Sequence, residues 1–102
     1  MEQILGQINK TPDVLGSCIV AGDGIIVATD FNSEIDSELI GALISAVIRS
    51  AGLAVEKLGF GEIRSFMLEA DKNKLFFSRC KFGFVVVLTG PDANLGLIRV
   101  EV

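Results

Sequence analysis

The hydrophobic positions follow a helical period at the start of the chain and then give way to short apolar runs. Residues 2–9 carry apolar side chains at helical spacing and are predicted to form a short first helix, which the following Thr-Pro-Asp ends. Residues 14–20 and 25–27 are apolar runs joined by Ala-Gly-Asp-Gly, a turn sequence. This pattern predicts a β-hairpin after the first helix.

The longest predicted helix runs from Ser33 to Leu58. Either Ser33 or Asp36 can cap its first turn, because both side chains can accept a hydrogen bond from a free backbone amide. Gly59 follows directly, and glycine commonly ends a helix in the left-handed conformation. We therefore expect one long helix between the hairpin and the second half of the chain.

The second half of the chain reads as strands followed by a short helix. Strands are predicted within Glu62–Ala70, Leu75–Cys80 and Phe84–Leu88, and residues 93–102 are predicted to form a third helix. The strand at Phe84–Leu88 is apolar on both faces. Such a strand must be central and covered from both sides, so helices are expected on both faces of the sheet.

The long helix is apolar over most of its circumference. At about 100° per residue its larger apolar side chains form one arc, which we predict to face the sheet. The members of this arc are Leu39, Leu43, Ala54, Val47, Ile40, Leu58, Ala51, Ile44, Val55 and Ile48. Ala42, Ala46 and Leu53 extend the apolar surface on the opposite flank. Few positions on this helix carry polar side chains that would face water.

A stripe of very small residues, Gly41, Ser45 and Gly52, lies beside this arc. A glycine inside a helix costs about 1 kcal/mol relative to alanine, so contacts elsewhere should offset it. We predict that the stripe, with Ile48 at the adjoining end of the arc, packs against a second copy of the helix across a two-fold axis. In the alternative, the glycines only clear a loop of their own chain.

Composition supports self-association. The chain has 102 residues, of which 50% are hydrophobic, and its mean hydropathy is +0.56. One domain spanning residues 1–102 is expected, and it is too small to hide so much apolar surface in a single core. The surplus predicts an interface. Charges at Glu38, Arg49 and Glu56 argue against a membrane span, and the N-terminus lacks the basic start of a secretory signal, so we expect a cytoplasmic protein without membrane insertion.

Charge and side-chain chemistry narrow the function classes. The net charge of −4 and the pI near 4.6 argue against nucleic acid as a partner. The sequence contains no histidine, no paired carboxylates stand out as an acid and base, and Cys18 and Cys80 lack metal-site spacing. The glycine-rich segments lack the Lys-Ser/Thr of a phosphate loop. We therefore predict a non-catalytic protein with no cofactor and no metal site.

Three stretches resemble the Roadblock family, whose members include dynein light chains and bacterial and archaeal regulators of small GTPases. VLGSCIVAGDGIIVATD resembles the family's opening hairpin, with Gly24 at the turn glycine, and AVEKLGFGEIRSFMLEADKNKLFF resembles the passage from the long helix into the third and fourth strands. The most specific stretch is FGFVVVLTGPDANLGLIRVEV. In it, the positions on the family's end motif are Gly83, Pro91, Asp92, Asn94, Leu95, Gly96 and Arg99.

The resemblance implies an α+β sandwich in the order helix, two strands, long helix, three strands, helix. The five-stranded antiparallel sheet would carry the long helix on one face and two short terminal helices on the other. The resemblance also implies a homodimer in which the long helices pair and the strand from Ile63 to Glu69 joins its copy. It therefore places Ile63, Ser65, Met67 and Glu69 in the dimer interface. The last helix is expected to be short.

The function implied by the resemblance is that of a homodimeric scaffold or regulator that binds a small Ras-like GTPase. Glu38, Arg49 and Glu56 fall on or near the outer side of the long helix and are the candidate contacts to this partner, with a solvated face as the alternative for each. A small-molecule sensor and a generic structural dimerisation module are the alternative functions.

Overall fold

The computed structural model describes residues 2–32 and 34–93. In chain order the elements are helix α1 (Glu2–Ile8), strands β1 (Val14–Ala21) and β2 (Ile26–Phe31), helix α2 (Ser37–Lys57), and strands β3 (Ser65–Glu69), β4 (Lys74–Cys80) and β5 (Gly83–Thr89). The fold is α+β, with one long helix and a five-stranded antiparallel sheet, as predicted.

The strand order in the sheet is β2-β1-β5-β4-β3, and every neighbouring pair is antiparallel. Strand β5 is central, and its Val86 lies between Cys18 of β1 and Phe77 of β4. All of Gly83–Val87 is buried. The prediction of a central strand covered on both faces is therefore confirmed, and β2 and β3 are the two edges of the sheet.

Side chains of β5 alternate between two hydrophobic layers. Val85 and Val87 pack with Leu5 and Ile8 of α1, whereas Val86 packs on the side of α2. The remaining members of the α1 layer are Ile19, Phe76 and Ala93. Those of the α2 layer are Cys18, Val20, Ile44, Ile48, Ile63, Phe77 and Phe84. The two helices therefore contribute to different layers, one on each face of the sheet.

The predicted pair of terminal helices is not present in the part of the chain that the structure describes. That part contains two helices, α1 and α2, and α1 is the only terminal one among them. Of the helix predicted at residues 93–102, only Ala93 belongs to the described residues, and its side chain is buried. Of the two predicted terminal helices, the described residues therefore contain only α1.

Helix α2 begins at Ser37, four residues later than predicted, and Ser33 lies outside the described residues. Asp36 is the cap, because its Oδ1 accepts a hydrogen bond from the Leu39 amide at 3.1 Å. Ahead of it, the backbone and side-chain oxygens of Asn32 accept two amide hydrogen bonds in a turn. This turn occupies the residues that would otherwise form the first helical turn.

The other end of α2 has the predicted left-handed glycine. Gly59 has φ +73°, and its amide donates to the Glu56 carbonyl at 3.1 Å. The Phe60 amide donates to the Val55 carbonyl at 2.9 Å. This pair of reversed hydrogen bonds is the Schellman arrangement, which satisfies carbonyls that the helix leaves without partners.

Candidate protein interface

The sheet-facing side of α2 consists of Gly41, Ile44, Ser45 and Ile48, which are all buried. A Cβ atom at Gly41 would lie 3.2 Å from Cγ1 of Ile26 in β2. The Ser45 hydroxyl donates a hydrogen bond to the carbonyl of a turn glycine between β1 and β2. Small side chains at these positions therefore let the hairpin come close to the helix backbone.

This packing corrects the prediction that Gly41, Ser45 and Ile48 meet a second copy. Each is covered by its own chain, so for Gly41 the alternative explanation holds, namely clearance for a segment of the same chain. Gly52 differs. It is half-buried, and nothing lies within 4 Å of the position that its Cβ would occupy. Its own chain therefore does not account for this glycine.

The predicted sheet-facing arc is confirmed at Ile44 and Ile48 and corrected at its other end. Leu39 and Leu43 are 58% and 57% exposed, and Ala54 and Leu58 are exposed as well. The reason is rotational. The helix turns its small residues toward the hairpin, so the side about half a turn away faces outward. The arc members Ile40, Val47, Ala51 and Val55 lie half-buried at the border.

Between Leu39 and Ala54 the outward face of α2 carries no charged side chain. We define this face by the exposed residues Leu39, Ala42, Leu43, Ala46, Ser50, Leu53 and Ala54. Beside it, a groove of about 470 Å³ runs between α2 and β3, lined by Ala46, Val47, Ser50, Ala51, Phe66 and Leu68. A contiguous exposed apolar surface of this kind marks an interaction site.

Strand β3 continues this surface to the edge of the sheet. It pairs with β4 on one side, and as an edge strand it leaves backbone donors and acceptors open on the other. Ser65, Met67 and Glu69 are exposed on it, as an interface position requires. Ile63 is different, because it is only 8% exposed and precedes the strand. The prediction that Ile63 meets a second copy is corrected to a core role.

The charged candidates Glu38, Arg49 and Glu56 are all exposed. Their spacings of eleven and seven residues put them on one flank of α2, beside the β1–β2 hairpin rather than the outward face. Arg49 lies over the turn, since a Cβ on Gly24 would be 3.0 Å from Arg49 Nη1. None of these side chains forms an ion pair with another residue of the described ranges. Their role in binding a partner stays a prediction.

The outward leucines are the residues that the sequence reasoning missed. The predicted arc placed Leu39 and Leu43 against the sheet with the other large apolar side chains, whereas Leu53 was predicted on the opposite flank. A signal was present, however, in the small residues themselves. Glycine inside a helix is unfavourable, and at Gly41 it marks the place where Ile26 of the hairpin approaches the helix.

Helix α2 is also long and apolar enough to resemble a membrane span, with a mean hydropathy of 1.7 over its most apolar 18 residues. Ile44 and Ile48 nevertheless anchor it in the core beneath the sheet. It is a core helix of this domain and not a membrane span, so the exposure of its apolar outward face needs another explanation.

Cys18 lies in the hydrophobic layer between the sheet and α2. Burial raises the pKa of the Cys18 thiol to about 12, so this thiol stays protonated and unreactive at neutral pH. Within residues 2–32 and 34–93, no group of three or more potential metal-ligating side chains comes together.

The arrangement of hairpin, long helix and edge strand matches a known domain. The Roadblock/LC7 domain matches residues 1–89 of this chain. This chain belongs to the Roadblock/LC7 family. Two uncharacterized proteins of Methanocaldococcus jannaschii are each 34% identical to this Roadblock chain over 100 residues, which is 98% of this chain and 88% of each relative.

Solved structures share the fold. A Roadblock/LC7 domain from Streptomyces avermitilis superposes with a TM-score of 0.81 at 19% identity, covering 96% of this chain and 84% of that one. Myxococcus xanthus MglB gives a TM-score of 0.81 at 17% identity, covering 94% and 80%. The gliding protein MglB of Thermus thermophilus gives 0.76 at 11% identity, covering 95% and 76%. At these identities the likeness concerns the fold.

Proposed function

We propose that this Roadblock protein is a non-catalytic, cytoplasmic homodimer that binds a small Ras-like GTPase and regulates its activity or location. The observation that carries the proposal is the exposed apolar surface formed by the outward face of α2 and the free edge of β3. Family membership supplies the class of partner, because Roadblock proteins include regulators of small GTPases.

The single chain leaves large apolar side chains of α2 exposed to water, and a dimer would cover them. Leu39, Leu43 and Leu53 are each more than half exposed, and no charge separates them. Pairing two outward faces would remove these side chains from water at about 25 cal/mol per Å² of apolar area. The same movement would bring two β3 edges together and satisfy their open backbone groups. MglB, which shares this fold, has been solved in a tetrameric arrangement.

In such a dimer, the surface offered to a GTPase includes the charged flank of α2. Glu38, Arg49 and Glu56 lie beside the hairpin and stay outside the proposed helix pairing, which uses the outward face. Rim charges of this kind steer association and select the partner's orientation. We assign Arg49 the role of orienting the partner's own residues, since its side chain lies over the hairpin turn of its own chain.

Two measurements test the proposal. Light scattering at micromolar concentration is expected to give the mass of a dimer. Small GTPases of the same organism, loaded with GDP or with a non-hydrolysable GTP analogue, are then passed over the immobilised protein. One of them is expected to be retained differently in its two states, and Arg49→Glu is expected to weaken this retention while the dimer mass is unchanged. A monomer mass, or equal retention of both states, would contradict the proposal.

The alternative of a purely structural dimerisation module predicts a dimer mass without nucleotide-dependent retention. The two measurements therefore separate assembly from regulation.

A further inference from the structure

A second concavity lies on the hairpin side of α2. It has a volume of about 520 Å³ and shares no lining residue with the groove beside β3. Its walls come from α2, the loop between α2 and β3, the β1–β2 turn and the strands β4 and β5. Ligand pockets commonly have volumes of 300–1,000 Å³, so this cleft, which we call the arginine cleft, has room for a small molecule.

Arg79 is held in place at one wall of the arginine cleft. Its Nε donates a hydrogen bond to the Ile63 carbonyl at 2.6 Å, and its guanidinium carbon lies 4.8 Å from the centre of the Phe84 ring. These contacts fix the side chain at the cleft wall through Nε and the guanidinium face, and neither of them uses a hydrogen bond from the two terminal nitrogens. A pre-positioned guanidinium loses little freedom on binding, and its paired N–H groups match the oxygens of a carboxylate.

Charges of both signs line the arginine cleft. Arg49 adds a second guanidinium, and Glu56 and Glu62 supply two carboxylates. No ion pair within 4.0 Å joins any two of these four charged groups in the described part of the chain. The apolar part of the lining includes Ile48, Leu53, Val55, Ile63 and Phe84. The cleft thus offers separate sites for a negative group, a positive group and an apolar body.

Gly52 supplies a separate observation. It lines the arginine cleft, and no atom of the chain lies within 4 Å of its missing Cβ. In contrast, the glycine at Gly41 is explained by the approach of Ile26. Glycine inside a helix is unfavourable relative to alanine, so a glycine that its own fold does not need is accounted for by an approach from outside.

We propose that the arginine cleft binds a small zwitterion with an apolar body. Its carboxylate pairs with the guanidinium groups of Arg79 and Arg49, its ammonium group pairs with Glu56 or Glu62, and its apolar part lies over Ile48. A purely anionic ligand would face two carboxylates, and a purely cationic one would face two guanidinium groups. Charge complementarity therefore selects a molecule that carries both charges. The cleft shares Arg49 and Glu56 with the flank proposed to contact the GTPase, whereas Arg79 and Gly52 belong to the cleft and not to that flank.

The test uses three probes with the same carbon chain: norleucine, hexanoate and hexylammonium. Each is titrated into the full-length protein while amide and Arg79 Nε–H resonances are followed by ¹H–¹⁵N NMR. Norleucine is expected to shift the resonances of Gly52, Gly61 and Arg79 saturably. It is expected to bind about tenfold more tightly than either singly charged probe, since each lacks one charge-assisted hydrogen bond. No saturable shift, or equal binding of hexanoate, would overturn the proposal.

Two variants locate the site. Arg79→Lys keeps the charge but loses the paired donors, and norleucine affinity is expected to fall about tenfold. Arg64→Lys, at an exposed arginine outside the cleft, is the matched control and is expected to bind as the unaltered protein does. Gly52→Leu fills the open space and is expected to abolish the shifts with the fold intact by circular dichroism. Unchanged affinity in both Arg79→Lys and Gly52→Leu would place the ligand elsewhere.

Discussion

The two sides of α2 both carry large apolar side chains, but only the buried side combines them, at Ile44 and Ile48, with very small residues. The side packed against its own chain includes Gly41 and Ser45, whereas the side facing solvent carries Leu39 and Leu43. Closeness of approach, and not hydrophobicity alone, therefore determined which residues of α2 are buried. The hairpin lies so near the helix backbone that larger side chains at Gly41 would meet Ile26. The leucines are left for a surface that another molecule can cover.

The largest expected effect comes from placing a charge on the outward face. Leu43→Glu is expected to turn the dimer into a monomer at micromolar concentration, because a central interface residue commonly contributes about 2 kcal/mol or more. Folding of the single chain should be retained, since Leu43 is 57% exposed. Light scattering gives the mass, and Glu38→Gln on the hairpin flank is the control that keeps it. A Leu43→Glu dimer would show that the outward face is not the interface.

The next effect concerns the buried side. Ser45→Ala removes the donor to the Gly24 carbonyl and leaves that oxygen buried without its partner. The free energy of unfolding is expected to fall by about 1–3 kcal/mol, measured by urea denaturation. Ser50→Ala, on the outward face of the same helix, is the matched control, expected within about 0.5 kcal/mol of the unaltered protein. Equal losses in the two variants would contradict the difference between the two sides.

A pH experiment tests whether water reaches the Cys18 thiol in the α2 layer. The pKa of Cys18 rises from 9.0 to about 12 through burial, so the unfolded chain ionises first as pH increases. The stabilising contribution is complete below pH 9 and is lost as pH rises toward 12, at about 1.4 kcal/mol per pH unit. Urea denaturation under reducing conditions at pH 8 and 10 should show this loss. In Cys18→Ala the Cys18 contribution should be absent, and parallel behaviour of the two proteins would indicate a hydrated thiol.

The smallest effect compares the two helix glycines directly. Gly52→Ala is expected to raise the free energy of unfolding by about 0.5–1 kcal/mol, because its Cβ meets open space. At Gly41 the same substitution brings a Cβ to 3.2 Å from Ile26, so the gain should be smaller. Thermal unfolding of both variants measures the difference. Equal gains would show that the hairpin yields easily and that closeness does not distinguish the positions.

Elements with a strong local signal could be predicted from the sequence. The first helix, the turn at Gly24 and the doubly covered strand β5 are all found where their patterns place them. Strand β2 is longer than its apolar run predicted. It extends to Phe31 through Thr29 and Asp30, whose side chains are polar and exposed. An edge strand depends on hydrogen bonds to β1, and a hydrophobic pattern does not record such bonds.

The amino-acid sequence was sufficient for the existence of α2, its Gly59 end and the excess of apolar surface, because caps and composition act locally or as totals. Its inward face was not available from the same information. A helix that is apolar nearly all round gives no single hydrophobic side, so periodicity favoured the leucines. The packed structure kept Ile44 and Ile48 inward and turned the leucines outward, because the hairpin needs space beside the helix and Gly41 and Ser45 provide it.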